Sequence, residues 1–146
     1  MDFIGIDPGK SGAIAVIKND GSIVTHVFDE VEYMNIVCNS PGSLAIVEDV
    51  HAMPKQGVSS MFSFGYNKGW SVGVLSAFGC LVRLVSPMKW KAHYGLLNCD
   101  KSASVRVAQS IFPGVNLFPT KRCKKPSDGI AEALLMAEYG RRTYIF

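Results

Sequence analysis

A chain of 146 residues and 15.9 kDa is long enough for one domain with a proper core and too short for two ordinary ones. With 48% apolar and 18% charged residues it reads as globular, and no run of 18 apolar residues offers a membrane span. Charge is uneven: residues 1–82 hold four Lys/Arg against eight acids, and residues 83–146 hold eleven against four. A basic half suits a polyanionic partner, most simply nucleic acid.

Met1-Asp2-Phe3 lacks the basic and apolar regions of a signal peptide. Phe3 to Asp7 reads as a strand stopped by Pro8-Gly9. Ala13 to Ile17 and Ile23 to Phe28 read as a hairpin turned by Asn19-Asp20-Gly21. A short helix over Val31 to Val37 ends at Asn39-Ser40-Pro41-Gly42, and Leu44 to Val47 is a strand running into Glu48-Asp49.

After a polar loop, a long helix spans about Ser59 to Ala77. Leu81 to Val85 is a strand, and Ser86-Pro87 starts a short helical piece carrying Lys89, Trp90 and Lys91. Asp100 or Ser102 caps a helix through Ile111. Lys121 to Lys125 is a basic loop, and Ser127 caps a last helix that Gly140 ends. The element order predicts an α/β fold, one domain over residues 1–146, with a mixed sheet flanked by helices. Cys38, Cys80, Cys99 and Cys123 form no CxxC pair, which points to reduced thiols in a cytoplasmic protein.

Three places carry chemistry. Asp7 ends an apolar strand, where a buried carboxylate needs a cation or hydrogen bonds to compensate it; a turn aspartate is the plainer alternative. Gly9-Lys10-Ser11 is no P-loop, because the earlier glycine is out of place and a strand follows instead of a helix. Glu48 ends a second apolar strand. Alternation lets only one of Glu48 and Asp49 face a given partner, and Glu48 is chosen as the site residue. Asp128 and Glu132, four apart, share one face of the last helix. A helix-dipole role explains Asp128 alone, but not Glu132 among Ile130, Ala131, Ala133 and Leu134.

Four such carboxylates suit a hard divalent cation such as Mg²⁺. Two ions per site, ~3.5–4 Å apart, activate a water and stabilise the leaving oxygen of a phosphodiester. The basic half would hold the polyanion that is cut.

These blocks resemble the RuvC-type Holliday junction resolvases of the ribonuclease H-like superfold, in their short phage-encoded branch. The resemblance rests on Gly5-Ile6-Asp7-Pro8-Gly9-Lys10-Ser11-Gly12, Val47-Glu48-Asp49 through Ser60, Phe64-Gly65, Pro87-Met88-Lys89-Trp90-Lys91, and Asp128-Gly129-Ile130-Ala131-Glu132 through Ala137. They stand in the family's order across nearly the whole chain. The resemblance implies a five-stranded sheet of antiparallel hairpin strands plus parallel strands. It also implies a homodimeric Mg²⁺-dependent endonuclease, with Mn²⁺ substituting, that nicks two strands of a four-way DNA junction in recombination and repair. Asp7, Glu48, Asp128 and Glu132 would be the metal ligands. Lys101 matches a catalytic basic residue near the scissile phosphate, and Lys91 a DNA-contacting lysine. Bacterial members space the two helix acids by three and end with Asp, whereas here the spacing is four and the second acid is Glu.

Lys10, Lys55, Lys89, Lys121, Arg122, Lys124 and Lys125 complete the expected DNA-binding set; solvated surface is the alternative for the loop lysines and for Lys101. Trp90 and Phe62 read as packing residues, and Phe64 as packing or stacking. His51 reads as a neighbour that helps position water, not a ligand. Gly65, Gly69 and Gly73 suggest a helix packed closely on the sheet or on a dimer partner, with apolar Trp70, Val72, Val74 and Leu75 around the row as the candidate dimer contact. Competing readings are an actin-like or sugar-kinase ATPase fragment, which would need a second lobe, an inert junction binder, and a same-fold nuclease acting on flaps or R-loops.

Overall fold

The computed structural model describes residues 1–144. Strands β1 (Phe3–Asp7), β2 (Ala13–Ile17) and β3 (Ile23–Val27) are followed by α1 (Glu30–Cys38), β4 (Leu44–Glu48), α2 (Val58–Ala77) and β5 (Leu81–Val85). Three helices close the chain: α3 (Pro87–His93), α4 (Lys101–Ile111) and α5 (Asp128–Thr143). The five strands form one sheet in the order β3-β2-β1-β4-β5. β1, β2 and β3 pair antiparallel, while β4 runs parallel to both β1 and β5. This is the mixed sheet expected from the sequence.

The period-two alternation of the strands sorts two cores. Ala13, Ala15, Leu44, Ile46 and Val85 face α4 and α5. Ile4, Ile6, Ile14, Val16, Ala45 and Val47 face α1 and α2, where Tyr33, Val37 and Leu75 complete the layer. Asp7 has the parity of Gly5, whose absent side chain lets α5 approach. Glu48 has the parity of Leu44 and Ile46. Both carboxylates therefore point to the α5 face, whereas Asp49 points to the other, where Lys68 of α2 pairs with it.

The caps expected at Asp100 and Ser127 form, and Asp29 and Ser86 add two more. Asp29, Ser86, Asp100 and Ser127 accept backbone N–H bonds at the starts of α1, α3, α4 and α5. Gly140 does not end the last helix, which continues to Thr143. Its role is clearance: a Cβ there would meet Ile46 Cγ1 at 2.8 Å. The glycine row in α2 does not pack on the sheet either: among the described residues a Cβ at Gly65, Gly69 or Gly73 would meet nothing within 4 Å, whereas Trp70, Val72, Val74 and Leu75, expected beside the row at a dimer contact, pack inward on the core. That row joins exposed Val58 and Phe62 in an open stripe along α2. No helix among the described residues is long and apolar enough to cross a membrane.

Candidate active site

The site lies where β1 and β4 end against the start of α5. Asp7 is 9% exposed, and its Oδ1 accepts the backbone N–H of Gly9 at 2.9 Å. The Pro8-Gly9 turn brings the next residues hard against α5. A Cβ on Gly129 would lie 2.1 Å from the Ser11 carbonyl and 3.4 Å from Asp7 Oδ2. Only a glycine after Asp128 lets the turn and the helix start meet.

Glu48 is 5% exposed, and its Oε1 accepts the indole N–H of Trp90 at 3.0 Å. Glu132, one turn into α5 from Asp128, accepts the Ser104 hydroxyl at 3.1 Å, and Lys91 Nζ stands 3.6 Å from the same oxygen. Asp128 pairs with Lys101 at 3.4 Å. α3 and α4 thus supply a cation to Glu132 and Asp128, respectively.

Burial pushes the Asp7 carboxyl up to about 7; the Gly9 hydrogen bond opposes this, and the nearby charges of Glu48, Glu132 and Asp128 add to it. Burial likewise raises Glu48, partly offset by the Trp90 hydrogen bond, with Glu132 raising it and Lys91 lowering it. Asp7 is therefore close enough to Glu48, Glu132 and Asp128 to feel their charge, and Glu48 to feel that of Glu132. Oxygen donors with uncompensated negative charge fit a hard divalent cation. Among the described residues no group of three or more His, Cys, Asp or Glu side chains is set around a single ion position. Glu48, Asp128 and Glu132 each hold a protein donor instead.

The other expected residues lie around this cluster or apart from it. Lys10, Lys55 and Lys89 are exposed, Lys55 with a left-handed backbone of φ 69°. Lys121, Arg122, Lys124 and Lys125 are exposed in the loop before α5 and make no ion pair among the described residues. His51 is exposed and stands 3.3 Å from Asp49, not at the carboxylates. Phe64 reaches the turn, with Cζ 3.3 Å from where a Gly9 Cβ would sit, and borders an apolar cleft of about 600 Å³ with Met53, Met61 and Met88. Phe62 is 76% exposed, so it does not pack as expected. Sequence reasoning missed the polar roles of Trp90 and Ser104. Trp90 is wholly buried as expected, yet its one polar atom is spent on a candidate ligand. The indole N–H, which needs an acceptor when buried, was the available signal.

No family model matches the sequence, and no curated protein is detectably similar to it. The fold has solved counterparts. The structure of T. thermophilus RuvC in complex with Holliday junction substrate superposes with a TM-score of 0.63 at 16% identity, covering 97% of this chain and 96% of that one. The Thermus thermophilus RuvC structure gives 0.60 at 17% identity, covering 97% and 96%. With its mixed sheet and strand order, the chain has the ribonuclease H-like fold of RuvC.

Proposed function

We propose that this chain is a divalent-metal-dependent endonuclease that resolves four-way DNA junctions. The observation carrying the reading is the convergence of Glu48, Asp128 and Glu132 on buried Asp7, from two strand ends and one helix, where burial first and then the other three charges raise the Asp7 carboxyl. The fold supports it, since the T. thermophilus protein of the same fold is seen with a Holliday junction.

Asp7, Glu48, Asp128 and Glu132 would hold Mg²⁺, or Mn²⁺ in its place, as two ions. Such ions supply an activated water and a counter-charge for the leaving oxygen. The protein's own part is to place and neutralise. Burial holds Asp7 and Glu48 at the ends of rigid strands, and the first turns of α5 present Asp128 and Glu132. Lys101 is 85% exposed beside Asp128. It has the freedom to leave that partner and meet charge building on a phosphate oxygen. Lys91 stays closer in, against Glu132. Lys10, Lys55, Lys89 and the loop of Lys121, Arg122, Lys124 and Lys125 hold the DNA backbone around the site.

One chain offers one carboxylate cluster, and a junction needs two opposed nicks, so the working unit is a homodimer matching the two-fold symmetry of the substrate. The open stripe of Val58, Phe62, Gly65, Gly69 and Gly73 on α2 is the face assigned to the second copy.

The test is incubation of labelled four-way junction, duplex and flap DNA with and without Mg²⁺. Paired, symmetric nicks in the junction only when the ion is present support the reading. Binding without cleavage would make the chain an inert junction binder, and single nicks in flaps would make it a nuclease of other branched DNA.

A further inference from the structure

Helix α3 is short, but its start is firmly set. Ser86 caps it and Pro87 occupies its first turn. The helix therefore delivers two consecutive side chains to the carboxylates in a defined geometry. Trp90 is completely buried and its Nε1 lies 3.0 Å from Glu48 Oε1. Lys91 Nζ lies 5.2 Å from the centre of that indole and 3.6 Å from Glu132 Oε1. An indole N–H donates and never accepts, so it tolerates only an acceptor opposite it. Among the described residues, the Trp90 N–H is the one hydrogen-bond donor to the buried Glu48 side chain.

We propose that Trp90 is a positioning residue for metal binding: its indole N–H holds one oxygen of Glu48 and leaves the other free to bind an ion. The inference rests on the metal-site reading above and adds a residue to it. Donors that orient a ligand carboxylate typically carry ~10–100-fold of metal affinity. The ring has a second task, as the platform over which the Lys91 ammonium lies on its way to Glu132.

The first measurement is Mn²⁺ binding by calorimetry to the wild type and to Trp90→Phe, which keeps an aromatic ring and loses the donor. Affinity should fall by ~10–100-fold. A merely structural Trp90 would lower the melting temperature and leave Mn²⁺ affinity where it was, which overturns the inference. The second measurement needs no change at Trp90 and serves if Trp90→Phe does not fold. In a Trp70→Phe background Trp90 is the sole indole, since the chain has two. Mg²⁺ should shift its emission, and Glu48→Gln should abolish the shift. Unaltered emission in a protein that demonstrably binds the ion again overturns the inference. A wild type that binds neither Mg²⁺ nor Mn²⁺ sinks the metal-site reading itself, and this inference with it.

Discussion

Gly5 lies so close beneath Ala133 that a Cβ on it would come within 1.9 Å of the Ala133 carbonyl oxygen. The central strand and the central helix are thus in backbone contact at Gly5, two residues before Asp7, and at Ala133, the residue after Glu132. Gly5→Ala must push the helix off the sheet. Overpacking of this kind costs ~1–3 kcal/mol, and here the obstacle is backbone, so the upper end is expected. Thermal unfolding would show the loss. Junction cleavage should drop further than the unfolded fraction explains, because the carboxylates separate.

Asp7→Asn should abolish cleavage and retain junction binding, since phosphate contacts supply most of the affinity. It should also change how stability depends on pH. The folded carboxyl titrates at about 7 against 3.8 in the unfolded chain. Its contribution is fully present below 3.8 and is lost as pH rises through about 7. Without divalent ions the wild type should therefore weaken by up to ~4 kcal/mol from this group between those limits. The Asn variant should show a flatter profile and melt higher at pH 8. Mg²⁺ should raise the wild-type melting temperature at that pH and do so far less in the variant. Parallel pH profiles for the two proteins would remove Asp7 from the charge cluster.

Lys101 and the basic loop should separate by kinetics. Lys101→Ala is expected to lower the cleavage rate far more than junction affinity, because its charge matters when the phosphate gains charge. Equal losses would make it an ordinary phosphate contact. Neutralising Lys121, Arg122, Lys124 and Lys125 together should instead weaken binding. The slope of log affinity against log salt should shrink by about 3–4 if all four touch phosphates of duplex arms. An unchanged slope would leave the loop as solvated surface.

Gly69→Leu distinguishes the two faces of α2. Space around Gly69 is open, so the fold should tolerate the substitution, and replacing a helical glycine favours the helix by up to ~1 kcal/mol. If the stripe meets a second copy, self-association measured by light scattering at micromolar concentration should weaken while the melting profile of the monomer does not. A variant that remains a dimer would move the interface elsewhere.

What could be read in the sequence is what depends on near neighbours. Asp7 and Glu48 announce themselves as carboxylates ending apolar strands. Parity alone places Glu48 opposite to Asp49. Asp128 and Glu132 share a helix face by spacing, and Asp100 and Ser127 declare their helices by cap chemistry. What could not be read depends on partners far along the chain. Gly140 looks like a helix stop because its clearance from Ile46 is a contact across the fold. The glycines of α2 suggest close packing, and nothing local says that they face open space. Trp90 lies 42 residues from the carboxylate it serves, and its indole reads as plain core until that acceptor is known.

The burial of α5 bears on when the site exists. From Ala133 to Gly140 every residue of the helix is buried, and Gly129 to Ala131 are as well. Such a helix has no local way to open, so its amides should exchange with solvent only through global unfolding, whereas the exposed turns of α2 can fray on their own. Half of the carboxylates are therefore held by the part of the fold that opens only when the whole domain does. A locally frayed chain should keep Asp128 and Glu132 in place against β1, and a globally unfolded one should lose both at once.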